Sequence, residues 1–394
     1  MASYNNYCIP PHLSFIVMFF KYAAFAAISG FALAAPEKTS TRHPQLKPEY
    51  YNGTVSVEHL SVPGNLDGFK MSTPAARKST DFWYFDVFSE AINQTLNIVF
   101  FNSGEFKQYP HPLSVQVSGV FPNGTDFYYE ALANEGVSIT NSPQGVQGTW
   151  RGIGGFKSSS LDKPDVEYSI KLDSPDMGIS GKIKFKSIAL AHYPCDLNGA
   201  VGVTQNLLPG LYWANAVPDA ETVVDLQVKD TAIKFKDGVG NHDKNWGNQS
   251  IIDGPKYWDW GHGRFGPYSV VWYNLLDYEG KETRRSFVAK DGKVLMVSCD
   301  PKSMQVRQKG GKAAWPPTTD LLETNGLSIL YTLPDGQELV VDVTTEIIVR
   351  DESGAYQRAK GIVKGGIKGK ETFKGKAHYE EFIFGIVNDY IPNP

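Results

Sequence analysis

Short segments that alternate between apolar and polar residues fill the chain after its N-terminal portion, and turn residues separate them. In the segment Lys182–Ile188, for example, Ile183 and Phe185 share one face of a strand. Asp-Gly pairs at Asp291 and Asp335 each predict a hairpin between two strands. Because no long helical period appears after the leader, the pattern predicts an all-β protein of antiparallel strands.

Length and charge limit the classes of function. A chain of 394 residues corresponds to about two domains at one per 100–200 residues, and we expect two barrel- or sandwich-like β units. The formal net charge of −4 provides neither a basic footprint for nucleic acid nor a polybasic membrane patch. The expected partner is therefore a small molecule, with no nucleic acid.

The N-terminal segment resembles a targeting signal. Residues 13–35 are apolar except for Lys21 and end in a small-x-small pattern. This pattern predicts a secretory signal within residues 1–35, cleaved near Ala34 or Ala35. A signal anchor retained in the bilayer and a misassigned start codon are the alternatives. Residues 36–50 are polar and Pro-rich, which predicts a linker.

Asn-x-Ser/Thr sequons and cysteines also bear on whether the chain enters the secretory pathway. Four sequons could be glycosylated if the chain enters the secretory pathway; they begin at Asn52, Asn93, Asn123 and Asn248. Cys8 lies in the leader, so Cys195 and Cys299 either form a disulfide or remain buried thiols. No Cys-x-x-Cys or His-x-x-x-His spacing occurs, so we expect no metal site.

The stretch from Gly238 to Asn274 is unusually rich in aromatic and polar residues. It contains four of the eight tryptophans, together with histidine, carboxylate, amide and phenol groups: Trp246, Trp258, Trp260, Trp272, His242, Asp243, Asn245, His262, Arg264, Tyr268 and Tyr273. Tryptophan and tyrosine combine a wide apolar face with a polar tip. The stretch is either a Trp-rich core seam or the wall of a ligand cavity.

Chemistry-bearing motifs are few. Gly-x-Ser-x-Gly, a P-loop and an EF-hand are absent from the sequence. No dinucleotide fingerprint occurs in the strand–turn–helix frame that it requires. His242-Asp243 could form a general acid in which the carboxylate orients the ring, or it could tie a loop to the sheet. Paired acids such as Glu380-Glu381 are by default solvated or structural. A large aromatic cavity with few polar groups suits an apolar, polyene-like ligand, and positioning alone can accelerate a reaction of such a chain.

Longer motifs identify a family. His242-Asp243-Lys-Asn245-Trp246-Gly247 and the segment Trp258–Trp272 are joined by three shorter matches, at Asp81–Asp86, His192–Cys195 and Tyr212–Asp219. Together they resemble the carotenoid-hydratase-like, tandem lipocalin-like family, and more closely the fungal decalin-forming Diels–Alderases. The resemblance covers roughly residues 50–390.

The resemblance implies an N-terminal β-sandwich over residues 51–236 and a C-terminal lipocalin-like barrel over residues 237–394, with the substrate pocket between them. It implies an intramolecular [4+2] cycloaddition that converts a linear polyketide–tetramic acid polyene to a decalin, without a cofactor. The enzyme would be a monomer in a polyketide–peptide synthase pathway. Family members are expected inside the cell, whereas the leader indicates the secretory pathway or a membrane anchor.

The family pattern also assigns site residues. Asp81 and Lys374 would be catalytic, hydrogen-bonding the tetramate end and polarising the dienophile carbonyl. The expected substrate-binding residues are Trp83, Trp213, Asn215, His242, Asn245, Trp246, Trp260, Tyr268 and Trp272. Where family members often have Arg-Trp, this chain has Arg358-Ala359, which indicates altered selectivity. A hydratase or isomerase that uses His242 and Asp243, and a secreted lipocalin-like carrier, are the competing hypotheses.

Overall fold

Strands and their connections account for the described chain. The computed structural model describes residues 43–104, 109–251, 254–311, 313, 315, 317, 324–352 and 355–383. Within these ranges there is no α-helix, which confirms the all-β prediction. None of the described segments supplies a helix of the length and apolarity needed to cross a membrane. The predicted leader, residues 1–35, lies outside the described residues.

The first sheet contains thirteen of the strands found in the described ranges. They are β1 (Gln45–Leu46), β2 (Thr80–Ser89), β3 (Thr95–Ser103), β4 (Leu113–Val120), β5 (Asp126–Leu132), β6 (Val137–Ser142), β7 (Gly145–Trp150), β8 (Gly154–Ser158), β9 (Glu167–Ser174), β10 (Ile179–Ser187), β11 (Asn206–Leu208), β12 (Leu211–Val228) and β13 (Thr231–Gly247). Their order is β1-β6-β7-β8-β9-β10-β12-β13-β2-β3-β4-β5, and β11 pairs with β12.

The second sheet contains the nine remaining strands of the described ranges. They are β14 (Pro255–Phe265), β15 (Tyr268–Asp277), β16 (Glu282–Lys290), β17 (Lys293–Ser298), β18 (Met304–Lys309), β19 (Gly326–Thr332), β20 (Glu338–Glu352), β21 (Tyr356–Ile367) and β22 (Phe373–Ile383). Their order is β17-β16-β15-β14-β22-β21-β20-β19-β18. Each sheet curls into a half-barrel, consistent with the expected tandem lipocalin-like architecture.

The long strand β13 determines where the first sheet ends. It pairs with β12 on one side and with β2 on the other, and it continues without interruption to Gly247. The domain boundary expected between residues 236 and 237 therefore falls inside this strand. The two sheets divide between Gly247 and Pro255. The expected linker contains β1, which pairs with β6.

Strand β2 is buried on both of its faces. Successive side chains of a strand point to opposite sides, and all ten residues of β2 are buried. Trp83 and Phe85 belong to the core of the first sheet. Phe82 and Tyr84 belong to a separate cluster that also contains second-sheet residues such as Trp260. β2 therefore connects the first-sheet core to the interface between the sheets.

A disulfide joins segments that follow strands of different sheets. Cys195 lies after β10 and Cys299 directly follows β17, and their Cα atoms are 5.1 Å apart. Of the two alternatives left open by the sequence, the disulfide is the one that the structure contains. It ties the two sheets together across a separation of 104 residues.

Two carboxyl groups are buried beside each other in the second sheet. Asp259 and Glu381 are directly opposite in the β14–β22 pair. The hydroxyl oxygen of Tyr257 lies 3.2 Å from Asp259 Oδ2 and 3.1 Å from Glu381 Oε1. That hydroxyl has one proton, so it can donate to only one of the two carboxyl groups at a time. Burial raises the pKa of Glu381 to about 7 and raises the pKa of Asp259 above its usual range.

This pair predicts a pH-dependent stability. The pKa of Glu381 is higher in the folded protein than its ordinary value of 4.5, so the folded state holds the proton more tightly than the unfolded state. The free energy of unfolding should therefore decline as pH rises from about 4.5 to about 7. Glu381→Gln should make that decline shallower in urea denaturation series at pH 5, 6 and 8. Glu49→Gln, at an exposed position, should leave it unchanged, and equal slopes for all three proteins would contradict the assignment.

Candidate active site

A cavity of about 250 Å³ lies between the two sheets. Its volume is slightly below the roughly 300–1,000 Å³ that is typical of small-molecule sites. Five first-sheet strands and five second-sheet strands contribute the wall. The lining residues are Phe82, Tyr84, Val99, Phe101, Gln116, Ser118, Tyr128, Asp243, Asn245, Trp258, Trp260, Tyr273, Arg350, Glu352, Tyr356, Arg358, Glu380 and Phe382.

Strand register explains why these residues meet. Asp243 of β13 is directly opposite Tyr84 of β2, so both side chains point to the same side of the first sheet. In the second sheet, Trp260 is opposite Glu380, and Glu380 is opposite Arg358. The two rows face each other, and the Tyr84 and Trp260 rings meet edge to face at 5.2 Å between centroids.

Asp243 is a buried carboxyl group at the cavity wall. Its side chain is almost fully buried, and Trp213 donates its indole N–H to Asp243 Oδ2 at 2.7 Å. Burial raises the pKa of Asp243 well above its usual range, more than that hydrogen bond lowers it. Nearby carboxylates, of Asp86 and Glu380, raise it further. Asp243 therefore holds its proton to a higher pH than an exposed aspartate does, and it lines the cavity where a ligand would lie.

A polar network connects the sheets at the cavity wall. Arg358 donates from Nε to Glu380 Oε1 at 2.7 Å and from a terminal nitrogen to Ser118 Oγ at 3.1 Å. Tyr84 donates its hydroxyl proton to Glu380 Oε1 at 2.6 Å, and Asn97 donates to the Tyr84 hydroxyl oxygen at 2.5 Å. Because every member is buried and bonded, the network fixes the relative positions of its strands.

Aromatic faces make up much of the remaining wall. Trp258 and Tyr273 pack edge to face at 5.6 Å, and Tyr273 also packs edge to face with Trp213 at 5.5 Å. Trp260 is buried, and its indole N–H has no hydrogen-bond partner among the described residues. A buried donor left unpaired is costly, and a ligand oxygen that reached this N–H would relieve that cost.

His242 and Asp243 do not act as one unit. They are consecutive on β13 and therefore point to opposite faces of the sheet. His242 Nε2 lies 3.0 Å from Asp67 Oδ2, and its Nδ1 lies 2.8 Å from the Tyr84 carbonyl oxygen. Its ring stacks on Phe85 at 3.7 Å. Of the two alternatives left open for this pair, the arrangement in which Asp243 orients the His242 ring does not occur, because strand alternation separates the two side chains.

The two residues expected to be catalytic are not brought together at the cavity. Asp81 is buried on the opposite face of β2, where its carboxylate pairs with Lys244 Nζ at 2.7 Å. Lys374 is exposed on β22. Neither side chain lines the cavity.

Two of the nine residues expected to bind substrate, Asn245 and Trp260, line the cavity. Trp213 lies behind the wall and holds Asp243, and Asn215 is buried beside Asn241. The other five are buried in the cores of the individual sheets: Trp83, His242 and Trp246 in the first sheet, and Tyr268 and Trp272 in the second.

Sequence reasoning missed several wall residues. Tyr84, Trp258, Tyr273, Arg358 and Glu380 were not among the expected site residues, yet all five line the cavity. The available signal was alternation: once Trp260 is assigned to a wall, Trp258 two positions away shares its face.

One group of side chains next to the cavity could coordinate a metal ion. Donor atoms of Asp86, His262 and His378 all lie within 4.8 Å of one another, the one such group found in the described part of the chain. His262 Nε2 is 2.7 Å from Asp86 Oδ1. The two histidines are directly opposite each other in β14 and β22. Spacing in the sequence could not indicate this group, because its members come from three strands.

Fold and cavity together define a class of protein, a two-sheet β protein with an aromatic site between the sheets. The chain belongs to the Diels-Alderase-like family, whose model matches residues 54–308. The resemblance found in the sequence is thereby confirmed at the level of the family.

Individual relatives differ in their chemistry. The chain is 36% identical over 342 residues to the quinolone epoxide rearrangement protein penF of Penicillium thymicola, covering 85% of this chain and 94% of that protein. It is 29% identical over 261 residues to the Diels-Alderase poxQ of Penicillium oxalicum, covering 64% and 56%. The crystal structure of CghA with Sch210972 has a similar fold, with a TM-score of 0.71 at 15% identity over 88% of this chain and 99% of that one. The chain is thus an enzyme of the isomerase or cyclase type.

Proposed function

We propose that this enzyme rearranges an epoxide by donating the Asp243 proton to the epoxide oxygen. The observation that carries the proposal is a buried carboxyl group at the wall of an aromatic cavity, and burial raises the pKa of that group well above its usual range. The likeness to a quinolone epoxide rearrangement protein supports it. By that likeness, the substrate is an epoxide attached to a quinolone-type ring system.

The step balances without a cofactor. The Asp243 proton moves to the epoxide oxygen as one carbon–oxygen bond breaks, and the bonding pair remains on oxygen as a hydroxyl group. Ring opening leaves one carbon electron-deficient. A group that migrates from a neighbouring carbon, or an internal alkene, then forms a bond to it. Loss of a proton from the rearranged cation to the Asp243 carboxylate regenerates the acid, so the product is an isomer of the substrate.

Wall chemistry fits a cationic intermediate. The ring faces of Trp258, Trp260 and Tyr273 carry negative quadrupole charge, and a desolvated cation over such a face gains about 2 kcal/mol. No cysteine is among the described residues that line the cavity, and charged wall residues such as Arg358 and Glu380 are bonded to each other. A cation held there would rearrange rather than be captured by a side chain.

A second candidate is the intramolecular [4+2] cycloaddition of a linear polyenoyl tetramate to a decalin, in a polyketide–peptide synthase pathway. The likeness to a Diels-Alderase supports it, as does an aromatic cavity able to bend an apolar chain. In this reaction Asp243 would polarise the dienophile carbonyl by a hydrogen bond and retain its proton.

Both candidates are tested by one experiment. Purified enzyme is incubated separately with an aryl-substituted quinolone epoxide and with a linear polyenoyl tetramate, and products are followed by chromatography and mass spectrometry against buffer controls. We expect the epoxide to be converted to an isomer of unchanged mass. An unchanged epoxide together with an altered decalin product ratio would favour the second candidate, and no change in either substrate would refute both.

Trp260 provides a finer prediction. Trp260→Phe removes the N–H while retaining an aromatic face, and a lost hydrogen bond of about 1.4 kcal/mol lowers kcat/KM about tenfold. Trp260→Leu removes both the N–H and the aromatic face. It should lower kcat/KM further, because the cationic intermediate also loses its contact with a π face. Steady-state kinetics on the epoxide measures both variants. Equal activity of Trp260→Phe and the unmodified enzyme would show that the N–H does not contact the reacting oxygen.

A further inference from the structure

We propose that Asn123 carries an N-linked glycan, attached as the chain matures in the oxidising secretory pathway. Asn123 is the first residue of an Asn-Gly-Thr sequon at the apex of the β4–β5 hairpin. Asn123, Gly124 and Thr125 are all exposed. Gly124 has φ of +86°, and a Cβ at that position would meet no atom within 4 Å. The apex therefore has room for a bulky group.

Local hydrogen bonds leave the reacting atom accessible. The Thr125 hydroxyl donates to Asn123 Oδ1 at 2.7 Å, and the Thr125 backbone N–H donates to the same oxygen at 3.0 Å. Both bonds use the amide oxygen, so the Nδ2 amino group is left to solvent. Glycosylation forms a bond from Nδ2 to the anomeric carbon of a lipid-diphosphate-linked glycan. Nδ2 loses one proton and the lipid diphosphate leaves with the bonding pair of the broken carbon–oxygen bond.

The four sequons differ in the exposure of their hydroxyl residues. All four begin with an exposed asparagine. Thr95 and Ser250, the hydroxyl residues of the Asn93 and Asn248 sequons, are buried. In the remaining Asn52 sequon no hydroxyl contact to the asparagine occurs among the described hydrogen bonds. Asn123 is accordingly the site for which geometry argues most strongly.

Cys195 and Cys299 supply an independent observation about the compartment. Their sulfur atoms are bonded, although the residues come from segments of different sheets. Structural disulfides form and persist in secretory and extracellular compartments and are rare in the cytosol. The compartment that forms this bond in a eukaryotic cell is also the one in which sequons are glycosylated.

The test uses the full chain produced in a filamentous fungus. Enzymatic removal of N-glycans in ¹⁸O water converts a glycosylated asparagine to ¹⁸O-labelled aspartate, which peptide mass spectrometry detects. We expect the label at Asn123. Thr125→Val should abolish it by removing the hydroxyl, as should Asn123→Gln, whereas the matched Thr125→Ser variant should retain it.

Two outcomes would overturn the proposal. One is an unlabelled Asn123 in protein whose Cys195–Cys299 bond has formed, and the other is cytosolic protein with both thiols free. The hairpin apex does not line the cavity, so the glycan variants should rearrange the epoxide at the unmodified rate. Success or failure here is therefore separable from that of the proposed function.

Discussion

Replacing Asp243 with Asn should reduce the rate of epoxide rearrangement by about 10²–10⁴-fold, the usual contribution of a general acid. Asparagine matches the shape of the acid and can still accept the Trp213 hydrogen bond, but it has no proton to transfer. Circular dichroism and thermal melting should therefore show a retained fold. Single-turnover kinetics on the epoxide, which follows product formation over time, measures this reduction in rate.

The control variant is Asp259→Asn. Asp259 is also buried with a pKa raised by burial, but it lies in the second sheet and does not line the cavity. Turnover by Asp259→Asn should stay within a few-fold of the unmodified enzyme. Comparable losses in both variants would indicate a general effect of altering buried carboxyl groups and would remove the case for Asp243 as the acid.

A pH profile gives a second readout of Asp243. Only the protonated carboxyl group can donate, so kcat/KM should fall as pH rises through the raised pKa of Asp243. The loss belongs on the alkaline side of the profile, and the residual activity of Asp243→Asn should lack it. A cycloaddition that needs only a hydrogen bond to the carbonyl would retain much of its rate in Asp243→Asn, because the amide still donates.

Alternation in the sequence was sufficient to predict strands, but it could not determine which face of a strand looks into the cavity. In β2, Asp81, Trp83 and Phe85 share one face, as expected, and that face is the core of the first sheet. Tyr84 is on the other face, at the cavity. Because both faces of β2 carry mostly apolar side chains, nothing in the sequence shows which face lines the cavity. Assigning the wrong face replaces every wall residue of the strand with its neighbour.

Pairing between distant strands hid the rest of the site. Glu380 and Glu381 are adjacent acids and by default solvated, yet both are buried on opposite faces of β22. Glu380 accepts hydrogen bonds from Arg358 and Tyr84. Glu381 is directly opposite Asp259 in the neighbouring strand. Residues that make a buried charge tolerable come from other strands. The aromatic stretch combines both of the alternatives left open for it: Asp243, Asn245 and Trp260 line the cavity, whereas Trp246 and Trp272 fill the cores of the two sheets.

The largest effect on stability is expected from removing the disulfide. A cross-link between residues 104 apart in sequence restricts the unfolded chain by about 4.7 kcal/mol in the chain-entropy description. The double variant Cys195→Ala/Cys299→Ala should lose most of that free energy of unfolding, because the rest of the fold keeps its hydrogen bonds. Equilibrium denaturation in guanidinium measures the difference.

Reduction provides the matched control for this variant. A thiol reductant should lower the midpoint of the unmodified protein toward that of the double variant and leave the double variant unchanged. Since the disulfide joins segments of the two sheets that enclose the cavity, substrate affinity should weaken along with stability, by an increase in KM larger than the decrease in kcat. A double variant as stable as the unmodified protein would mean that contacts between the sheets, such as Arg358 with Ser118, hold them together without the covalent bond.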